Sequence, residues 1–134
     1  MKELLITMRQ VYSMAREVLV GVLGGWDGLL YALVIFMIVD YLMGILVVIS
    51  NRKLSDKIGF SEIAKKLSII LLVIVAHVID AQILQNGDMV RVVVILFYLS
   101  TEGTSILANV ALLHLPVPQK LNDILEQLKD KKSK

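Results

Sequence analysis

Residues Asn51 to Lys66 have the sequence NRKLSDKIGFSEIAKK, a basic stretch between two apolar runs. Its two acidic residues, Asp56 and Glu62, are outnumbered by five basic ones, which gives a net charge of +3 (5 − 2). Short loops rich in Lys and Arg remain on the cytoplasmic side of a membrane. The stretch therefore predicts a cytoplasmic loop that orients the apolar runs on either side. The topology-setting residues are Arg52, Lys53, Lys57, Lys65 and Lys66.

Three apolar segments are candidates to cross a bilayer. Residues 29–50, LLYALVIFMIVDYLMGILVVIS, form the clearest span, because 22 helical residues cover about 33 Å. Residues 67–84 are slightly shorter but sufficient, and residues 90–115 are apolar at both ends and polar in the middle. We therefore predict an all-α integral membrane protein with a three-span domain over residues 24–115 and a cytoplasmic loop at 51–66.

The two ends of the chain predict helices of a different kind. Residues 1–23 have an apolar stripe at spacings of three and four, opposite a charged side, which predicts an amphipathic helix. This helix could lie on the membrane, pack on the spans, insert, or associate with another copy. Residues 116–134 predict a basic cytoplasmic tail with a short amphipathic helix. The predicted topology has the N-terminus outside and the C-terminus in the cytoplasm.

Composition excludes several classes of function. The 134 residues are 57% hydrophobic and 19% charged, contain no Cys, and include only two His. Thiol chemistry is therefore absent, and a metal cluster is not indicated. A net charge of +2 does not suggest nucleic acid as a partner. Since no phosphate-binding loop, nucleophile elbow or zinc-protease motif occurs, we predict neither enzyme activity nor a cofactor.

Two carboxylates fall near the middle of predicted spans, Asp40 in the first and Glu102 in the third. A charged group at this depth is costly unless it is paired, protonated or hydrated. No Lys or Arg is predicted at their depth to pair with them, since Arg91 lies near the outer end of the third span, so His77 is the candidate polar partner. Both acids could be neutral and hydrogen-bonded between helices. Because acids at membrane depth commonly mark function, we favour a polar surface that subunits share or that becomes hydrated.

Small hydroxyl residues surround Glu102 and strengthen this interpretation. Residues 100–105 read STEGTS, a composition that lets helices approach closely and that is poorly suited to lipid. Three helices can hide little of this patch, so we expect a homo-oligomer. The residues predicted to line a pore or an oligomer interface are Asp40, Glu102, Ser100, Thr101, Thr104 and Ser105.

Four segments together resemble the toxin-secretion and phage-lysis holin family. Asp40–Gly44 fits the D-x-x-x-G motif of the family, and the loop from Asn51 to Lys66 is also similar. The segment FYLSTEGTSILAN at Phe97–Asn109 is similar to the Y-x-x-x-E-x-x-S-I-L-x-N motif, and Leu115–Leu121 matches L-P-V-P-x-x-L. The resemblance covers residues 26–128 and does not place the N-terminal amphipathic helix.

The resemblance implies a function that composition does not. Proteins of this family accumulate in the bacterial cytoplasmic membrane, oligomerise, and open lesions that release an endolysin or a secreted toxin. The implied partners are the lipid bilayer, further copies of the chain, and the released protein. Two alternatives remain open at this point: a subunit of a small ion or proton channel or transporter, and a membrane adaptor that forms no pore.

Overall fold

A computed structural model describes residues 1–51 and 59–132, which are helical apart from short connections. The helices are α1 (Lys2–Val22), α2 (Gly28–Asn51), α3 (Phe60–Val78), α4 (Met89–Leu112) and α5 (Gln119–Lys132). α3 continues without a break into a π-helical segment, Ile79–Leu84. The all-α class predicted from the sequence is therefore confirmed for the described residues.

Three of these helices are long and apolar enough to cross a membrane. They are Gly28–Asn51, Phe60–Leu84 and Met89–Leu112. A helix of 24 residues extends for about 36 Å, which exceeds the hydrocarbon thickness of about 30 Å. The second of these helices begins at Phe60 rather than at Leu67, so Lys65 and Lys66 are helical. The other topology-setting residues, Arg52, Lys53 and Lys57, lie outside the described residues.

Helix α4 is the central element of the bundle, since it contacts α2, α3 and α5. The core is formed by apolar side chains from α2, α3 and α4, together with Leu23 from the end of α1. Its buried members are Leu23, Leu30, Leu33, Met37, Ile69, Val73, Ile95 and Leu99. Most other apolar side chains of α2 and α3 point outward and are exposed, as expected for surfaces that face lipid.

The connections define two ends of the bundle. At the loop end, α2 ends and α3 begins. At the turn end, Gln85 and Gly87 adopt positive φ angles of 51° and 80° and reverse the chain into α4. The α1–α2 connection also lies at the turn end, because α2 runs towards the loop end. After α4, His114 has a φ of 61°, and Pro116 and Pro118 prevent the helix from continuing.

Helix α1 stands apart from the rest of the chain. It contacts α3, yet none of its residues is buried. The apolar side chains of its stripe are exposed, including those of Leu4, Met8 and Val11. The structure thus leaves the stripe uncovered within a single copy, and packing on the spans does not account for it.

Candidate functional site

Three charged side chains meet inside the bundle and form what we call the central cluster: Asp40 of α2, Lys66 of α3 and Glu102 of α4. Lys66 Nζ donates hydrogen bonds to Asp40 Oδ2 at 2.9 Å and to Glu102 Oε2 at 2.8 Å. Asp40 and Glu102 are each only 5% exposed. One ammonium group therefore joins all three membrane-spanning helices through two buried carboxylates.

Polar neighbours complete the hydrogen bonding of the central cluster. Asn109 Nδ2 donates a hydrogen bond to Asp40 Oδ1 at 3.1 Å, and Ser105 lies beside the cluster. Glu62 lies one helical turn before Lys66, with 3.7 Å between Glu62 Oε1 and Lys66 Nζ. Among the described residues, no buried side-chain nitrogen or oxygen lacks a hydrogen-bond partner.

Helical periodicity explains why these three side chains point inward. Asp40 continues the buried stripe of α2, whose other members are Leu30, Leu33, Met37, Gly44 and Val47. Lys66 precedes the buried stripe of α3, formed by Ile69, Val73 and Ala76, at spacings of three and four residues. Such spacings place side chains on one face of a helix. The apolar stripes therefore carry the charged groups into the bundle.

The expectation that the carboxylates have no Lys or Arg partner within a span is wrong. Lys66 pairs with both of them, whereas His77 lies near Gly24 at the turn end. The signal available in the sequence was the position of Lys66 on the extrapolated apolar stripe of α3. A long aliphatic stem also allows a lysine near a helix end to place its ammonium group some distance from its own Cα.

The hydroxyl residues around Glu102 occupy different environments. Ser100 is buried and donates to the carbonyl of Phe97 at 2.7 Å. Thr101 and Thr104 are exposed, and their hydroxyls donate to carbonyls of α4 itself. Ser105 is half-buried. A single copy therefore buries Asp40, Glu102 and Ser100. Three helices were predicted to hide little of the polar patch at residues 100–105, and both threonines of that patch are indeed exposed.

An open cleft of about 370 Å³ lies beside the central cluster, between α3 and α4. Its wall includes both carboxylates and Lys66, and its other polar residues are Glu62, Lys65, Ser68, Tyr98, Thr101 and Ser105. With both carboxylates ionised, the central cluster has a formal charge of −1 (−2 + 1). The cleft gives water or a small cation access to this negative charge.

A second polar group, which we call the turn-end cluster, is centred on Arg91 of α4. The Arg91 side chain is 1% exposed. Its Nε donates to the Leu23 carbonyl at 2.6 Å, and its two terminal nitrogens donate to Asp27 Oδ2 at 2.6 Å and to the Gly25 carbonyl at 2.9 Å. Arg91 therefore attaches the α1–α2 connection to the turn end of the bundle.

Two aspartates complete the turn-end cluster. Asp80 is buried and accepts hydrogen bonds from the backbone N–H groups of Val90 and Arg91 at 3.0 and 2.8 Å, which caps the N-terminus of α4. Asp27 accepts from the N–H of Leu30 at 2.9 Å and so caps α2. The hydrogen bond from Arg91 to Asp27 lowers the pKa of that carboxyl below its ordinary value of 3.8.

Gly24 is required by the same arrangement. It has a φ of +86°, and a Cβ at this position would lie 2.7 Å from both Arg91 Nε and His77 Nδ1. The apposition of Gly24 and Arg91 was not predicted from the sequence. The apposition depends on two segments far apart in the chain, so local sequence offers no signal for it.

The described residues provide no candidate metal centre. Within residues 1–51 and 59–132, no group of three His, Cys, Asp or Glu side chains is placed to hold a metal ion. The central cluster instead supplies a buried ion-pair network that joins three apolar helices.

Comparison with known proteins identifies relatives of the whole membrane region. Residues 17–130 match the bacteriophage holin family. An uncharacterized 14.9 kDa protein in the nagH 3′ region of Clostridium perfringens is 39% identical over 112 residues, covering 83% of this chain and 84% of the relative. The uncharacterized Listeria monocytogenes protein Lmo0128 is 41% identical over 102 residues, covering 76% and 72%. No solved structure matches the chain.

Proposed function

Because the chain belongs to the bacteriophage holin family, we propose that it oligomerises in the bacterial cytoplasmic membrane and opens lesions. The lesions would release an endolysin to the cell wall, or export a secreted toxin. The observation that carries this proposal is the central cluster, in which Lys66 bridges Asp40 and Glu102 inside three apolar helices. The basic loop supports an orientation with the N-terminus outside and the C-terminus in the cytoplasm.

The central cluster is suited to a bundle that has a closed and an open state. While the three helices stay together, Lys66 pairs with both carboxylates, and the monomer can reside in lipid. If α3 moves away from α2 and α4, both carboxylates lose their partner and require water. The side chains that hold the closed bundle together would then become polar surface of a hydrated lesion.

The outer surfaces of the bundle support association between copies. The outward apolar side chains of α2 and α3 suit lipid, whereas α4 exposes Thr101 and Thr104 near its middle. Threonine on a membrane helix favours close contact with another helix. We therefore assign Asp40, Glu102, Ser100, Thr101, Thr104 and Ser105 to the subunit interface or lesion lining that opens when copies assemble.

The direct test is expression in a bacterium, with and without a co-expressed endolysin. A holin depolarises the membrane abruptly and gives lysis when the endolysin is present. Glu102→Gln removes one charge from the central cluster without removing its volume, and we expect it to change the time at which lysis begins. Glu62→Gln is the matched control, because Glu62 lies 3.7 Å from Lys66 Nζ rather than 2.8 Å.

The result that contradicts this role is an unchanged lysis time for Glu102→Gln at equal membrane levels of protein. A larger effect of Glu62→Gln than of Glu102→Gln would also contradict it. The wild-type protein must itself release the endolysin, since otherwise the holin assignment fails regardless of either variant.

A second candidate function is an ion or proton channel, which the open cleft beside two buried carboxylates favours. Such a channel would depolarise the membrane or shift the internal pH without passing a folded enzyme. An adaptor that forms no pore would do neither. The same co-expression experiment therefore separates the three functions by membrane potential and by endolysin release.

A further inference from the structure

Helix α5 folds back along α4 and packs on the face that α2 and α4 form together. Leu125 is 6% exposed, and Leu128, one turn later, packs against the bundle core. The contact is close: a Cβ on Gly103 would lie 2.6 Å from Leu125 Cδ2. The residues around this contact are Ile35, Phe36, Val39, Gly103, Ile106, Leu107, Leu121 and Leu125.

The contact lies at membrane depth. Gly103 is nine residues from Leu112, the end of α4, which corresponds to about 14 Å along the helix axis. A span of about 36 Å extends about 3 Å beyond each side of a hydrocarbon layer of about 30 Å. Leu125 therefore packs about 11 Å inside that layer when α4 is centred in the bilayer.

The opposite side of α5 does not suit lipid. Its exposed residues are Gln119, Lys120, Asp123, Glu126 and Gln127. Asp and Glu side chains are too short to reach the membrane surface from such a depth, and facing them to hydrocarbon is unfavourable. The packed position of α5 is consequently compatible with a membrane only where water borders its outer side.

We propose that α5 lines the lesion, packing on the Gly103 face when this face borders water and lying at the membrane surface while the bilayer is intact. This inference rests on the proposed function, and it specifies which face of the bundle turns towards the lesion. It also gives the polar tail a role beyond orientation. The linker between α4 and α5, with His114 at positive φ followed by two prolines, supplies the joint.

The remaining exposed side of α4 is consistent with this assignment. Thr101, Thr104 and Ala108 are exposed at spacings of three and four, so they share one face of α4. On the helix circumference, this face lies between Gly103, which contacts α5, and Ser105, which borders the cleft. The polar side of α5, the two threonines and the cleft therefore follow one another around α4.

The chain contains no Cys, so the position of α5 can be monitored in living cells by crosslinking pairs of introduced cysteines. Gly103→Cys with Leu125→Cys reports the packed position through crosslinking with copper phenanthroline or a short bis-thiol reagent. Ile106→Cys with Leu121→Cys reports the same contact and leaves Gly103 unchanged, in case that substitution disturbs folding. Thr101→Cys with Leu125→Cys is the matched control, because Thr101 lies about 160° from Gly103 around α4 and borders the cleft.

We expect little intramolecular crosslinking before the membrane depolarises and a several-fold rise once lesions open, for either reporting pair but not for the control pair. A crosslinked fraction that is equal before and after opening, or that falls on opening, overturns the proposal. If lysis proceeds normally with that result, the proposed function survives and only the role of α5 fails. If the wild-type chain never opens the membrane, both fail.

Discussion

The two polar clusters of the bundle differ in how their carboxylates are partnered. The turn-end cluster combines Arg91 with one partner carboxylate, and it uses Asp80 to cap a helix rather than to bind a cation. The central cluster places one ammonium group between two carboxylates and borders an open cleft. In the first cluster each carboxylate has its own partner, a guanidinium for Asp27 and the N-terminus of α4 for Asp80, whereas in the second cluster two carboxylates share one cation.

This difference assigns separate roles to the two parts of the molecule. At the turn end, backbone carbonyls of Leu23 and Gly25 are held by Arg91, so the connection between α1 and α2 is fixed. At the central cluster, Lys66 links α3 to the carboxylates of both α2 and α4. The turn end is therefore expected to stay assembled while the helices separate around Lys66. Substitutions in each cluster test this expectation.

The largest effect is expected for Lys66→Met, which keeps the aliphatic stem and removes the charge. Removing one partner of a buried ion pair costs about 3–5 kcal/mol, because the other charge is left uncompensated. We expect the free energy of unfolding to fall by this amount when unfolding in detergent micelles is measured by circular dichroism. Lys65→Met is the matched control and should change it by less than about 0.5 kcal/mol, because Lys65 is exposed.

A triple variant distinguishes pairing from packing. Asp40→Asn and Glu102→Gln, added to Lys66→Met, remove the charges that would otherwise be left alone. Replacing a whole buried ionic group by neutral residues is frequently close to neutral in stability. Recovery of most of the lost stability is therefore expected. If the triple variant is as unstable as Lys66→Met, the cost comes from packing, and the central cluster is not an electrostatic unit.

The sequence predicts the two clusters to different extents, because the clusters depend on different kinds of contact. The spans, Asp40 and Glu102 are evident from runs of apolar residues and from isolated charges within them. Lys66 was assigned to the loop because a hydropathy pattern ends a span at the first cluster of charges, whereas the helix begins at Phe60. Extending the apolar stripe of α3 backwards by one turn would have placed Lys66 on the inner face.

The turn-end cluster was harder to predict from the sequence. Arg91 and Asp27 are separated by 64 positions in the chain, and their contact depends on how α1, α2 and α4 meet. A composition pattern cannot give that geometry. The position of Arg91 close to the end of a span did indicate that its charge needed a partner. The packing of α5 on Gly103 was missed for the same reason, because the polar tail alone favoured a surface position.

An intermediate effect is expected at the glycine pair of the turn-end cluster. Gly24→Ala introduces a Cβ 2.7 Å from Arg91 Nε at a φ of +86°, whereas Gly25→Ala meets no neighbour at a φ of +97°. Left-handed backbone costs an L-residue about 1–2 kcal/mol, so Gly25→Ala should lose about that amount. Gly24→Ala should lose about 1–3 kcal/mol more, because Arg91 must move away from its hydrogen-bond acceptors.

The comparison is measured as the difference between the two unfolding free energies in the same micelles. Equal losses would mean that Arg91 does not hold this connection, and the rigid role of the turn end would then be withdrawn. A further check is the rate of proteolysis at the α1–α2 connection, which should rise for Gly24→Ala more than for Gly25→Ala.

The smallest effect concerns pH and Asp27. Arg91 lowers the pKa of this carboxyl below its ordinary value of 3.8 in the folded protein, so the ionised form stabilises the folded state. This contribution is fully present above the ordinary pKa and is lost as the pH falls through the lowered one. Because the Asp27 side chain is 44% exposed, solvent screening should limit the contribution to below about 1 kcal/mol.

Asp27→Asn isolates this charge, since Asn also caps helix N-termini well and can still accept the hydrogen bond from Leu30. We expect the difference in unfolding free energy between the wild type and Asp27→Asn to be constant near neutral pH and to shrink as the pH is lowered below 3.8. Subtracting the two curves removes the titration of other carboxylates. A difference that grows on acidification would show that Arg91 does not favour the charged form, and would remove the electrostatic part of the contrast between the two clusters.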